Sequence, residues 1–95
     1  MVPPAPVTVR VPSMLRSSCG DAAMLSVSPG NVRAVLAELE RRFPALHRSV
    51  CDETGAVRRH INLFVNESNV RDGAGLDSPL APGDILTIHP AVSGG

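Results

Sequence analysis

Few of the 95 residues have side chains or positions suited to chemistry, and the most suggestive lie at one end. The last run is Ile85-Leu86-Thr87-Ile88-His89-Pro90-Ala91-Val92-Ser93-Gly94-Gly95. It is strand-like up to its proline, then small, and it finishes on Gly-Gly. That arrangement sets a carboxylate at the tip of a thin chain. We read Gly95 as the reacting group, presented to an enzyme that recognises the rest of the chain and activates it. Val92, Ser93 and Gly94 follow it into a partner's active site as a flexible tail over about 90–95. Glycine lacks a side chain and tolerates any backbone conformation, so it passes where only a main chain fits. Pro90 keeps the exit extended.

The remaining reactive side chains do not assemble into a site of their own. Cys19 and Cys51 stand far apart and outside any C-x-x-C context, which reads as two free thiols in a reducing compartment. Two cysteines also cannot hold an iron–sulfur cluster of the four-cysteine kind. His47, His60 and His89 lack ligand spacing, so no metal is expected. No Ser/His/Asp set, paired-carboxylate cleft or phosphate-binding glycine loop is present, which argues against an intrinsic enzyme. All nine basic residues are arginine, so no side-chain amine is available for an isopeptide or a Schiff base. A formal net charge of zero gives no case for nucleic acid. The start, Met1-Val2-Pro3-Pro4-Ala5-Pro6, has neither the charged nor the apolar region of a signal peptide, and no apolar run is long enough to span a bilayer. A cytoplasmic, soluble monomer with no bound cofactor is expected.

Elements must position that tail, and one domain over 1–95 is all this length supports. The core has to come from Val, Leu, Ile and Ala, because the aromatics are Phe43 and Phe64 alone. Val7-Thr8-Val9-Arg10-Val11 alternates as a half-buried strand with the valines inward. Ser13 to Ala22 is a loop with a helical turn at Ser13–Arg16 and a Cys-Gly-Asp turn. Met24 to Ser28 returns as a second strand, forming a hairpin. Ser28 or Asn31 caps a helix whose apolar face is Val32, Val35, Leu36, Leu39 and Phe43, with Glu38 and Arg42 paired i,i+4 opposite. Pro44 stops it, and Leu46 and Val50 suggest one further turn before a surface loop over 51–55. Arg58 and Arg59 sit on a solvated loop. Ile61, Leu63 and Val65 face inward on a third strand, leaving Phe64 outward. Val70-Arg71 is a candidate short strand, and Leu76 to Leu80 a turn of helix. Pro82-Gly83-Asp84 turns into the last strand, with Leu86 and Ile88 inward and Thr87 and His89 outward. The sum is an α+β fold: a mixed sheet of four to five strands on one main helix, with the first and last strands side by side at its centre.

This order, the Pro-Gly-Asp turn and the ending Pro90 to Gly95 resemble the ubiquitin-like sulfur carriers of the ThiS/MoaD family. The likeness is greater to the CysO-type carriers of actinobacterial cysteine biosynthesis. It rests on Val9 to Arg16, on Asn62-Leu63-Phe64-Val65-Asn66 followed by Val70-Arg71, on Gly75-Leu76, and on Gly83-Asp84 to the end. It spans about Val7 to Gly95. The resemblance implies a ubiquitin-like β-grasp fold and a carrier function. An E1-like enzyme of MoeB/ThiF type would adenylate Gly95 with ATP, and sulfide or a persulfide would convert the adenylate to a thiocarboxylate. A sulfur-acceptor enzyme, a pyridoxal-phosphate cysteine synthase or another synthase, would follow, and a JAMM-type metalloprotease is a further implied partner. Adenylation is chemically required, because a free carboxylate is anionic and resonance-stabilised and has no leaving group for sulfur to displace. Other readings are the small subunit of a molybdopterin synthase, a ubiquitin-like protein modifier, and a plain β-grasp binding module.

The surface that selects partners is expected beside the tail. Arg10, Phe64, Thr87 and His89 all point outward, and an exposed aromatic with an arginine is a recurrent hot-spot pairing. Alternatively, the loop after Val50 folds over Phe64 and makes it a satellite of the core.

Overall fold

The computed structural model describes residues 5–90; residues 1–4 and 91–95, and with them the expectations for Val92, Ser93, Gly94 and Gly95, lie outside the described residues. The sheet is organised around its last strand. Strand β1 (Val7–Arg10) and β2 (Met24–Val27) form the expected hairpin, β4 (Ile61–Val65) and β5 (Ser68–Asn69) form a second, and β7 (Ile85–Pro90) lies between them. The order is β2-β1-β7-β4-β5. β1 runs parallel to β7, with Val9 opposite Leu86, and every other pairing is antiparallel. Two ladders therefore flank β7, and Leu86 and Ile88 are buried on its inner side.

Helix α1 (Val32–Arg42) covers that inner side with Val32, Val35, Leu36 and Leu39. Of the two candidate caps, Asn31 performs the role: its Oδ1 accepts the Ala34 amide at 2.8 Å. The Arg42–Glu38 pair forms at 2.7 Å. Phe43 is partly buried against the core and carries the Arg42 guanidinium 5.2 Å from its ring centre.

Several expectations are corrected. Pro44 ends α1 but opens another helix, α2 (Pro44–Val50), because a proline at the first helical position gives up an amide that has no partner there anyway. The further turn is thus a helix of its own, burying Leu46 and Val50. Cys51 is not part of a surface loop: it is buried and bridges to Val57, and burial, reinforced by Asp52, pushes its thiol pKa up. The segment Ser13–Cys19 is a 3₁₀ helix throughout, which carries Cys19 into the core before Gly20 and Asp21 turn the chain with positive φ. The short extra strand falls on Ser68–Asn69, and Val70–Asp72 is a 3₁₀ turn started by the Asn69 side chain. The helical turn expected from Leu76 to Leu80 shrinks to Gly75–Asp77. Pro79–Leu80 is strand β6, which pairs with β3 (Gly30–Asn31) in a separate small sheet. Leu80 still reaches the core.

Because β7 has neighbours on both sides and Leu86 is fully buried, the structure has little freedom to collapse around a deletion there. Leu86→Ala should lower the unfolding free energy by about 2–5 kcal/mol, measured by denaturant unfolding with the slope unchanged.

Candidate functional site

The period of two along each strand places alternate side chains on the face that α1 leaves uncovered. Register then decides which of them meet. Met24 lies opposite Arg10, Arg10 opposite Thr87, Thr87 opposite Phe64, and Phe64 opposite Asn69, so one row crosses all five strands. His89 is two residues beyond Thr87 on the same face and opposite Asn62. The four expected surface residues are therefore neighbours. Phe64 and His89 meet edge to face, with ring centres 6.0 Å apart and planes at 79°. Phe64 is half-buried and does not belong to the main core cluster.

Two apolar members of the face were missed by sequence reasoning. Met24 is 64% exposed and Ile85 is 36% exposed. The signal was present: each precedes an inward leucine, and a residue next to an inward one must face outward. Arg71 was also missed as an organiser. Its guanidinium donates to Asn62 Oδ1 at 2.9 Å, to the Ile61 carbonyl at 2.8 Å and to the Arg58 carbonyl at 3.0 Å. It thereby fastens the entry to β4 beside the outer face.

The end of β7 is defined just as closely. Pro90 is part of β7, opposite Ile61, rather than the first residue of a flexible tail. Ile85 points its polar backbone towards Asn66, so by alternation the amide position of Pro90 faces the β1 side. The β1 ladder has already ended at Thr87, and proline breaks no bond there. Next to Pro90 an open hollow of about 610 Å³ is lined by Arg10, Val11, Pro12, Arg16, Met24 and His89, among others. Arg16 is held by Nε donating to the Val11 carbonyl at 3.0 Å.

The other end of β7 is pinned by Asn66 and Asp84. Asn66 takes the left-handed backbone at φ 54°, donates its amide to the Ile85 carbonyl at 2.7 Å, and accepts the Ile85 amide on Oδ1 at 3.0 Å. Its side-chain Nδ2 donates to Asp84 Oδ1 at 3.3 Å, and Asp84 Oδ2 accepts the Ala81 amide at 2.9 Å. Gly83, at φ 87°, supplies the turn that allows this. The Asp84 carbonyl in turn accepts the Thr8 amide at 3.0 Å. Start, body and outer face of the strand are thus fixed relative to one another. Among the described residues no group of His, Cys, Asp and Glu is suited to hold a metal ion, and no helix is long and apolar enough to cross a membrane.

The family model described as "ThiS family" matches residues 9–95. The chain belongs to the ThiS family. A curated relative, the sulfur carrier protein CysO of Mycobacterium tuberculosis, is 36% identical over 91 residues, covering 94% of this chain and 98% of that one. The crystal structure of the Mycobacterium tuberculosis CysO superposes with a TM-score of 0.83 at 35% identity, over 90% of this chain and 99% of the other. A chain of the Amycolatopsis orientalis BexX/CysO complex gives 0.85 at 34% identity, over 94% and 99%. The small archaeal modifier protein 1 of Methanosarcina acetivorans gives 0.80 at 32% identity, over 99% and 100%. The mixed sheet on its helix is thus the ubiquitin-like β-grasp of these family members. The family match runs past the described strand and through Gly94 and Gly95.

Asn66 offers a direct check on how β7 is anchored. Asn66→Ala should cost about 1–3 kcal/mol, from lost hydrogen bonds plus a left-handed backbone forced on alanine. Asn66→Gly should cost about 1 kcal/mol less, because glycine accepts that backbone freely. Denaturant unfolding of the three proteins gives the order.

Proposed function

We propose that this sulfur-carrier protein accepts sulfur at Gly95 and hands it to a biosynthetic enzyme, with cysteine formation as the pathway favoured. Two observations carry the reading: the family match that extends through Gly95, and curated relatives named as sulfur carriers over nearly their whole length. An E1-like enzyme of MoeB/ThiF type would attach the adenylyl group of ATP to the Gly95 carboxylate, releasing pyrophosphate. Attack by sulfide, or by a persulfide followed by reductive release, would expel AMP and leave a thiocarboxylate. The thioacid sulfur would then act as the nucleophile on an acceptor held by a partner, such as an electrophile on a pyridoxal-phosphate cysteine synthase. A JAMM-type metalloprotease would free the product from the carrier. Catalytic groups belong to those partners, and this chain is the co-substrate.

Its own residues divide the work. Val92, Ser93 and Gly94 are small enough to follow Gly95 into a closed site, where positioning of the carboxylate on the α-phosphate accounts for much of the rate. Arg10, Phe64, Thr87 and His89 present the docking face, with Met24 and Ile85 extending its apolar area. The rigid β7 keeps that face and the root of the tail in constant relation, so docking aims the tail. The Amycolatopsis orientalis relative in complex with BexX supports a protein partner for carriers of this kind.

A second reading, a protein modifier joined to target lysines through Gly95, is favoured by the likeness to the archaeal modifier. It predicts a ladder of higher-mass conjugates in cell extracts, which a dedicated sulfur carrier would not give. Incubation with the activating enzyme, ATP and sulfide should exchange one carboxyl oxygen for sulfur in the intact mass. Removal of Gly94 and Gly95 should abolish the exchange. An unchanged mass for the full chain with active enzymes of this type would refute the carrier reading. Phe64→Ala should weaken binding to the activating enzyme by about tenfold or more, while unfolding free energy falls by about 1–2 kcal/mol from the lost packing on His89 and the chain stays folded. Calorimetric titration and denaturant unfolding separate the two effects.

A further inference from the structure

A sheet of this order leaves two edges open, β2 and β5. An open edge is a row of unpaired amides and carbonyls that invites another strand, and folded proteins usually blunt it by shortness, charge or proline. The β5 edge is two residues long and is protected by that alone. The β2 edge is different: Met24-Leu25-Ser26-Val27 carries neither a charge nor a proline.

The geometry shows what guards it instead. Val11 donates its amide to the Ala23 carbonyl at 2.8 Å, extending the β1–β2 ladder past Arg10 and Met24. Antiparallel pairs alternate between bonded and non-bonded, so counting by two puts Val9–Leu25 and Val7–Val27 in the bonded class. The backbone groups of Met24, Ser26 and Ser28 must then point away from β1. Two of those groups are held by α1. Arg42 Nη1 donates to the Ser26 carbonyl at 2.8 Å, and Glu38 Oε1 accepts the Ser28 amide at 3.2 Å. The two side chains are joined to each other at 2.7 Å. One ion pair on the helix therefore supplies both an acceptor and a donor to the strand edge.

We propose that the β2 edge is a strand-addition site for a second copy of this chain, and that the Glu38–Arg42 pair holds it shut. The occupant follows from self-complementarity. An antiparallel copy placed about Leu25 sets Met24 of one chain against Ser26 of the other, and each carries an outward donor and acceptor. Neither is charged, so nothing in the strand itself repels its twin. The Ser26 carbonyl that Arg42 occupies is one of the acceptors this pairing requires. Closure of the edge also keeps a second copy away from the Met24–Arg10 end of the outer-face row, which stays free for other partners. This proposal rests on the geometry of the edge and not on the sulfur-carrier reading.

Sedimentation velocity on the full chain tests it, comparing wild type, E38Q/R42M, and E38Q/R42M with Ser26→Pro added. Wild type should sediment as a monomer. E38Q/R42M should self-associate to a dimer at least about tenfold more tightly, the scale of one recovered hydrogen-bonded pair. Ser26→Pro should return it to monomer, because proline removes an outward amide without touching the β1 ladder. Circular dichroism reports whether each variant is folded. If E38Q/R42M does not fold, Arg42→Met alone frees the Ser26 carbonyl and should show the same shift. A double variant that is folded and stays monomeric overturns the proposal. So does a dimer that survives Ser26→Pro, or a wild-type chain that is already dimeric through this edge.

Discussion

The parallel pairing of β1 with β7 is the constraint on which the rest of the molecule depends. Val9 against Leu86 joins the two ends of the chain at the centre of the sheet. Both side chains are fully buried. A parallel pair cannot be closed by a tight turn, so everything between has to act as one long crossover. The helices, the short 3₁₀ turns and the small β3–β6 sheet are what fills that crossover. The hydrophobic stripe of α1 then has only one place to go, the inner face of the same sheet. Central placement also gives the last strand two ladders, which an edge strand would lack.

Separation of the two sheet faces follows from the same pairing. Inward residues at alternate positions satisfy α1 and α2. Outward residues, Arg10, Phe64, Thr87 and His89 with Met24 and Ile85, are left on the open face along β7. On the proposed function, that juxtaposition sets a docking face at a fixed offset from the end of β7.

Polar side chains at the margins do structural work that hydrophobic pattern alone would not reveal. Asn66 and Asp84 substitute for backbone partners where β7 begins. Arg71 gathers an amide oxygen and two carbonyls at the start of β4. Glu38 and Arg42 look like an ordinary i,i+4 pair, yet each also bonds the backbone around β2. Their meaning comes from long-range neighbours, so helical spacing gave the pair and not its use.

By itself the sequence determined the strands with strong alternation, the inward set of the sheet and the face of α1. These follow from periods of two and 3.6 and from steric rules that act over a few residues. It also carried the family resemblance, because that lies in residue identities and their order. Tertiary structure decided the rest. It turned Pro44 from a stop into a helix start, since the apolar residues after it had a core to enter. It buried Cys51, drew Pro79–Leu80 into a strand against Gly30–Asn31, and moved the extra strand to Ser68–Asn69. It set Phe64 against His89 on the open face, by a cross-strand register that no local pattern records. Short elements of two to seven residues owe their conformation to what they touch, and what they touch is fixed only when the ends of the chain meet.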